Sequence, residues 1–195
     1  MSVNDSIIKR PVPESQKGLQ ATLTKGSLSG HKQKIGLQLK ADLENLTNLR
    51  PDGDDFRWYI RLRCSNCSEE TKEFQYISLA ENAPLKGGRG HASLVLKCKL
   101  CGRENSIDIM RDSIQPYNDE DNGRFKTVVA FDCRGVEPID FSARAGFAAD
   151  GVDSGTPFTD IAFNEGDDDW SEYDTKSNCP VGVFSIEHKF ISMKK

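Results

Sequence analysis

Four of the six cysteines in this 195-residue chain fall into two identical pairs, Cys64-Ser65-Asn66-Cys67 and Cys98-Lys99-Leu100-Cys101. A two-residue gap lets both sulfurs of a tight turn face one ion, with backbone N–H groups of the same turn directed at the thiolates. Two such knuckles supply the tetrahedral donor set that suits Zn²⁺, with Zn–S bonds of about 2.3 Å. Thirty residues separate the pairs, more than the roughly 15–20 of common ribbons. The intervening chain must therefore be ordered, and 74–79 with 94–98 are expected to form a hairpin there, giving a ribbon-like site. With all four positions filled by protein, none is left for a catalytic water, so the expected ion is single and structural. Its binding then belongs to folding, about 10–16 kcal/mol in finger peptides near pH 7, against about 5–15 kcal/mol of net stability for a typical domain. Iron–sulfur ligation is the chemical rival, but its common runs are more tightly spaced. Redox C-x-x-C motifs sit beside a βαβ pattern that this sequence lacks.

Other residues carry blander chemistry. Arg57, Arg61, Arg63, Lys97, Lys99 and Arg103 lie near the knuckles in sequence. With Trp58 or Tyr59 to stack on bases, they could form a nucleic-acid strip. Four thiolates on Zn²⁺ leave a local charge of about −2, and neutralising it is the role expected of them. Lys86-Gly87-Gly88-Arg89-Gly90 resembles a phosphate cradle, but neither G-K-[S/T] nor a helix start follows, so 86–90 is expected to be a flexible loop. Gly146–Gly155 reads as a loop needing unusual backbone angles. In the stretch 164–174, Glu165, Asp167, Asp168, Asp169, Glu172 and Asp174 surround Trp170 and Tyr173. A solvated acidic loop with aromatic anchors is expected there. His188 reads as a core histidine, and His31 and His91 have no evident partner. Cys133 and Cys179 are unpaired by pattern and are expected to be buried small side chains. No serine–histidine–acid constellation assembles, so no catalytic residue is assigned.

Strands must position these residues. Ile35, Leu37, Leu39, Ala41 and Leu43 alternate with Gly36, Gln38, Lys40 and Asp42, the period of a half-buried strand. A polar turn at 50–55 follows, and then Trp58, Ile60, Leu62 and Cys64 share one face, with Arg57, Tyr59, Arg61 and Arg63 on the other. Further strands are expected at 74–79, 94–98, 106–110, 127–133 and 183–190. No window gives a persuasive amphipathic helix, although 170–176 could hold a short helical turn. The fold class is all-β.

Composition closes off other classes. Apolar residues make up 36%, enough for a core, and no run approaches the about 18 apolar residues of a membrane-spanning helix. The net charge of −4 argues against nucleic acid, whose binders show a basic excess. Residues 1–33 hold Lys9, Arg10, Lys17, Lys25 and Lys32 against Asp5 and Glu14, with two prolines and no aromatic. Such a stretch buries too little to offset the entropy of ordering, so a flexible basic extension is expected. One arginine and two acids argue against a mitochondrial transit peptide, and no apolar stretch suits a secretory signal. The cysteines are then thiols of the cytoplasm or nucleus.

A faint internal duplication is also legible. Phe56-x7-Cys64 is echoed by Phe125-x7-Cys133, each after a polar stretch. The expected organisation is one compact β domain over 34–195 in two similar halves, about 34–104 bearing zinc and about 105–195 zinc-free.

These residues resemble a family, the eukaryotic CXXC-motif-containing zinc-binding proteins. The resemblance runs through Asn48-Leu49-Arg50-Pro51, Phe56-Arg57-Trp58-Tyr59 and the two cysteine pairs. It continues through Leu85–Gly90, Arg103-Glu104-Asn105-Ser106-Ile107, Pro116-Tyr117-Asn118, Glu137-Pro138, Gly146-Phe147-Ala148-Ala149, Ser154-Gly155-Thr156 and Trp170-x-x-Tyr173-Asp174. It implies an all-β fold of two pseudo-symmetric halves and one zinc held by Cys64, Cys67, Cys98 and Cys101, in a family without an established enzymatic activity. Members usually start near the position of Ile35, so the N-terminal extension is the departure. The expected function is that of a non-enzymatic zinc-binding protein, a monomer acting through an unidentified protein partner and not on membranes. A metal-handling role, exchanging Zn²⁺ or Cu⁺, is the alternative, and nucleic-acid binding is the third reading.

Overall fold

The computed structural model describes residues 32–85, 90–164 and 169–193. Fourteen strands occur among them: β1 (Lys32–Glu44), β2 (Leu46–Pro51), β3 (Trp58–Cys64), β4 (Gln75–Ile77), β5 (Ala83–Pro84), β6 (His91–Ala92), β7 (Leu94–Lys97), β8 (Glu104–Ile109), β9 (Lys126–Arg134), β10 (Val136–Ser142), β11 (Phe147–Gly151), β12 (Pro157–Ile161), β13 (Trp170–Asp174) and β14 (Cys179–Ser192). Two short 3₁₀ turns, Arg111–Ser113 and Asp119–Asp121, lie in the crossover from β8 to β9. The fold is all-β.

Period-2 alternation drives the long strands. In β1 the five alternating apolar residues from Ile35 to Leu43 are all buried, and in β3 Trp58, Ile60, Leu62 and Cys64 are buried while Tyr59, Arg61 and Arg63 are half-buried. Strand β9 instead buries Val128, Val129, Ala130 and Phe131 consecutively. One side of it meets the core, where the Phe131 ring stands edge-on to Trp58 at 6.4 Å. The crossover segment joins β9 as well, because Gln115 N donates to Val128 O and Met110 N to Ala130 O.

The strands form a six-stranded sheet in the order β13-β14-β1-β9-β8-β7, two three-stranded sheets, β10-β3-β4 and β12-β11-β2, and a small β5–β6 hairpin. The large sheet reads the same from both ends if β1 is matched to β9, β14 to β8 and β13 to β7. The same matching turns β2-β11-β12 into β10-β3-β4. The molecule therefore consists of two pseudo-symmetric halves, with β5–β6 as an addition to the first. Each half opens on a long strand that breaks at one residue of positive φ, Asn45 (53°) in the first and Gly135 (72°) in the second, before continuing as β2 or β10.

Several sequence expectations are corrected. The echo of Phe56–Cys64 in Phe125–Cys133 matches β3 to β9, which occupy different positions; the true counterparts are β3 with β11 and β9 with β1. Any amphipathic strand satisfies so loose a pattern. The topological division falls after β8, several residues later than 104. Segments 74–79 and 94–98 do not pair: β4 joins β3, and β7 joins β8. Residues 170–176 begin with strand β13 instead of a helical turn, because pairing with β14 satisfies their backbone. Within Gly146–Gly155, Phe147–Gly151 forms strand β11, and only its flanks, Gly146 (φ 101°) and Gly155 (φ 61°), take left-handed angles. Strand β1 starts at Lys32, pairing Lys32 with Arg134 and Gln33 with Cys133, so the last two residues of the expected extension belong to the sheet. The rest of that extension, residues 86–89 of the glycine loop and 165–168 of the acidic loop lie outside the described residues.

Candidate metal centre

The two knuckles grow from strand ends in different sheets. Cys64 is the last residue of β3, where Cys64 N donates to Glu69 O (2.8 Å), Ser68 N returns to Cys64 O (2.9 Å) and Ser68 takes φ 63°. Cys98 follows β7 inside the β7–β8 hairpin, where Cys98 N donates to Arg103 O (2.8 Å), Gly102 N returns to Cys98 O (3.0 Å) and Gly102 takes φ 69°. Each turn is a five-residue loop closed by one left-handed residue, with its two cysteines on the same side. Arg103 Nη1 donates to Asn66 Oδ1 (3.3 Å), tying one knuckle to the other.

All four sulfurs lie within 4.8 Å of one another. Cys64 Sγ is 3.8 Å from Cys101 Sγ, and Cys67 Sγ is 3.4 Å from Cys98 Sγ. A tetrahedron with Zn–S of about 2.3 Å has edges of about 3.8 Å, so the cluster fits a four-coordinate ion with little adjustment. Cys64 and Cys98 are buried against the core, Cys67 is half-buried and Cys101 is exposed. The side-chain amide of Asn105 is wedged between Cys64 Sγ (3.6 Å) and the carbonyl of Gly135 (2.9 Å).

As free thiols, these groups disagree about protons. The Arg103 N–H, outweighing desolvation and helped by Asn66, Cys67 and Cys98, brings Cys101 down to about 6. Desolvation opposes ionisation of Cys64, yet the N–H groups of Asn66 and Cys67 lower it. The Glu69 N–H favours a Cys67 thiolate, but desolvation and the neighbouring Cys98, Cys101 and Cys64 push Cys67 up to about 12. Clustered thiolates repel, and a dication is the partner that lets all four ionise.

The four cysteines singled out from spacing are thus brought together, and the other candidates are not. Arg63 pairs with Glu70 (2.8 Å) and Arg61 with Asp140 (3.4 Å); Arg57 stacks on Tyr76 at 4.7 Å. The supposed strip is therefore largely committed to protein partners. His188 Nε2 accepts the Phe141 N–H (3.2 Å) and lies 3.2 Å from Asp140 Oδ1, and it is not part of the cysteine cluster. Burial pushes the Cys133 thiol up to about 12, as suits an inert core residue, while half-buried Cys179 lies 3.1 Å from Ser177 Oγ. Among the described residues, no other group of three or more His, Cys, Asp or Glu side chains is close enough to share an ion. Spacing could not reveal Asn66 and Asn105, whose contacts depend on how the second knuckle and β10 approach the first.

Comparison with known proteins agrees with this geometry. The model of the eukaryotic family described as CXXC motif containing zinc binding protein matches residues 36–191. A mouse protein of that name is 59% identical over 158 residues, covering 81% of this chain and 98% of its own length. The UPF0587 protein CG4646 of Drosophila melanogaster is 41% identical, covering 83% and 99%. The crystal structure of C1orf123 is 57% identical and superposes with a TM-score of 0.78 over 82% of this chain and 99% of that one. A hypothetical Plasmodium falciparum protein, 23% identical over 81% and 99%, shares the fold at a TM-score of 0.73.

Proposed function

Because the chain belongs to the family of eukaryotic CXXC motif containing zinc binding proteins, we propose that Cys64, Cys67, Cys98 and Cys101 hold one zinc ion whose task is structural. The convergence of four sulfurs within 4.8 Å carries this reading. Four protein donors close the coordination sphere, which leaves no position for an activated water or a substrate, so the protein is not an enzyme at this centre. The ion ties the end of β3, in one three-stranded sheet, to the β7–β8 hairpin at one edge of the six-stranded sheet. It acts as a cross-link between sheets.

The function built on that cross-link is presentation of a surface to a protein partner. Leu100, at the tip of the second knuckle, is 67% exposed between Lys99 and Cys101, an apolar side chain held out by a rigid turn. A four-thiolate site needs its cysteines reduced, which suits a reducing compartment such as the cytoplasm. Exposure of Cys101 also favours the second reading, in which the site passes Zn²⁺ or Cu⁺ to a partner.

Metal analysis of purified protein, with Cys64→Ser and Cys98→Ser alongside, tests the proposal. We expect one zinc per chain in the wild type, loss of that ion in both variants, and unfolding of at least the first half. A variant that melts like the wild type and is indifferent to chelator would overturn it. Transfer to a competing chelator separates the two readings: a structural ion leaves only as fast as the fold opens, whereas a carried ion leaves faster.

A further inference from the structure

The pseudo-symmetry extends from the strands into the turns at their ends. Cys64, at the end of β3, corresponds to Gly151, at the end of β11. Gly151 N donates to Thr156 O (2.9 Å), Gly155 N returns to Gly151 O (2.9 Å) and Gly155 takes φ 61°, which repeats the first knuckle bond for bond. Cys64 pairs with Val136, and Gly151 pairs with Leu46, the residues that follow the two strand breaks. Ser65 N donates to Gly135 O, and Val152 N to Asn45 O, both at 3.0 Å. In the other turn Asp174 pairs with Cys179 across the β13–β14 hairpin, as Cys98 faces Arg103, and Asn178 (φ 55°) stands where Gly102 stands. The four ligand positions Cys64, Cys67, Cys98 and Cys101 therefore map onto Gly151, Ser154, Asp174 and Ser177.

These positions also meet at Asp174, Ser154 through its hydroxyl and Ser177 through its backbone N–H, while the Ser177 hydroxyl lies 3.1 Å from Cys179 Sγ. The Asp174 carboxylate, only 1% exposed, accepts the Ser154 hydroxyl on Oδ2. Its Oδ1 accepts the Thr156 hydroxyl (3.1 Å) and the Lys176 N–H (2.9 Å), with Ser177 N at 3.4 Å. Those bonds, the Ser154 hydroxyl foremost, hold its pKa well below the usual carboxylate range. A Cβ on Gly151 would point into the same spot, 2.5 Å from Ser154 Oγ and 2.9 Å from Asp174 Oδ2.

We propose that Gly151, Ser154, Asp174 and Ser177 form the second-half counterpart of the metal centre, a site whose two knuckle turns are retained and clasped by a buried carboxylate instead of an ion. The clasp joins β11–β12 to β13–β14, as the cysteines join β3 to β7–β8. Hydrogen bonds to an ionised group are among the stronger ones in proteins, and here they do what metal–sulfur bonds do in the other half. Because the frame is kept, the site converts to metal when it is given thiols. Gly151 lies outside the left-handed region and accepts a side chain there once the carboxylate has gone.

The fourfold variant G151C/S154C/D174C/S177C tests this in the full chain. Metal analysis should find one more zinc per chain than in the wild type. That increment does not depend on how many ions the wild type holds, so it separates this proposal from the reading of the first site. A folded variant with unchanged zinc content overturns it. Should that variant fail to fold, Asp174→Ala decides by hydrogen exchange. The amides of 152–155 and 175–178 should exchange at least tenfold faster, while those of the two cysteine knuckles and the zinc content stay as in the wild type. Unchanged exchange in both second-half turns overturns the clasp.

Discussion

At the scale of single residues, the cysteines were legible because metal ligation depends on type and spacing, both of which a sequence displays. Tyr117 shows the opposite case. It is 1% exposed, and its hydroxyl lies 2.6, 3.0 and 3.2 Å from the carbonyls of Asp121, Arg124 and Ala41. Its backbone also exchanges two 2.8 Å hydrogen bonds with Leu49. Nothing local marks it as the peg that fastens the 110–125 crossover to the β1–β2 corner, because its partners are supplied by distant segments. Removing the hydroxyl takes a donor from these carbonyls and leaves the buried Ala41 N–H, 3.3 Å from it, without that acceptor, at about 1–3 kcal/mol. Tyr117→Phe should therefore lower the unfolding free energy from denaturant titration by that amount with zinc content unchanged; a loss below about 0.5 kcal/mol would show that water replaces the peg.

At the scale of elements, β1, β3 and β9 could be read directly, and β10, β11 and β12 could not. The difference is physical. Strand β10 contains Pro138, which interrupts a ladder and is tolerated because β10 has only β3 as a neighbour. Strand β11 reads Phe-Ala-Ala-Asp-Gly between glycines, with little of the branched bulk that marks a strand; its pairing comes from β2 and β12 on either side. The break between β9 and β10 is equally specific. Gly135 takes φ 72°, and a Cβ there would collide with the Asn105 side chain, which itself leans on Cys64. Gly135→Ala should cost about 1–3 kcal/mol in backbone strain alone and also speed the loss of zinc to chelator, since the displaced amide borders the first knuckle. Stability loss with an unchanged rate of zinc loss would separate the strand break from the metal centre.

At the scale of the whole molecule, the two halves are interleaved. In the large sheet, β1 of the first half lies between β14 and β9 of the second, and β9 lies between β1 and β8. A half removed from the other leaves a vacancy in the middle of a sheet and not a free edge. A fragment of residues 110–195 should therefore be unfolded alone, and it should regain dispersed amide resonances when mixed with residues 1–109 and zinc. A fragment that folds by itself would show that the second half is autonomous. The two fasteners proposed above would then serve one cooperative body, one responding to chelators and the other not.

The pairing of Ile35 with Ser192 also sets a timetable. Among the described strands β1 is synthesised first, and its second neighbour, β14, is synthesised last. At about 5–20 residues per second, β1 waits roughly 10–30 s with an apolar edge unpaired. During that interval the nascent chain has its zinc ligands and its first knuckles but no closed sheet, which makes it a client for chaperones and a target for strand-pairing errors. A chain that lacks Cys179–Ser192 keeps that edge of β1 unpaired.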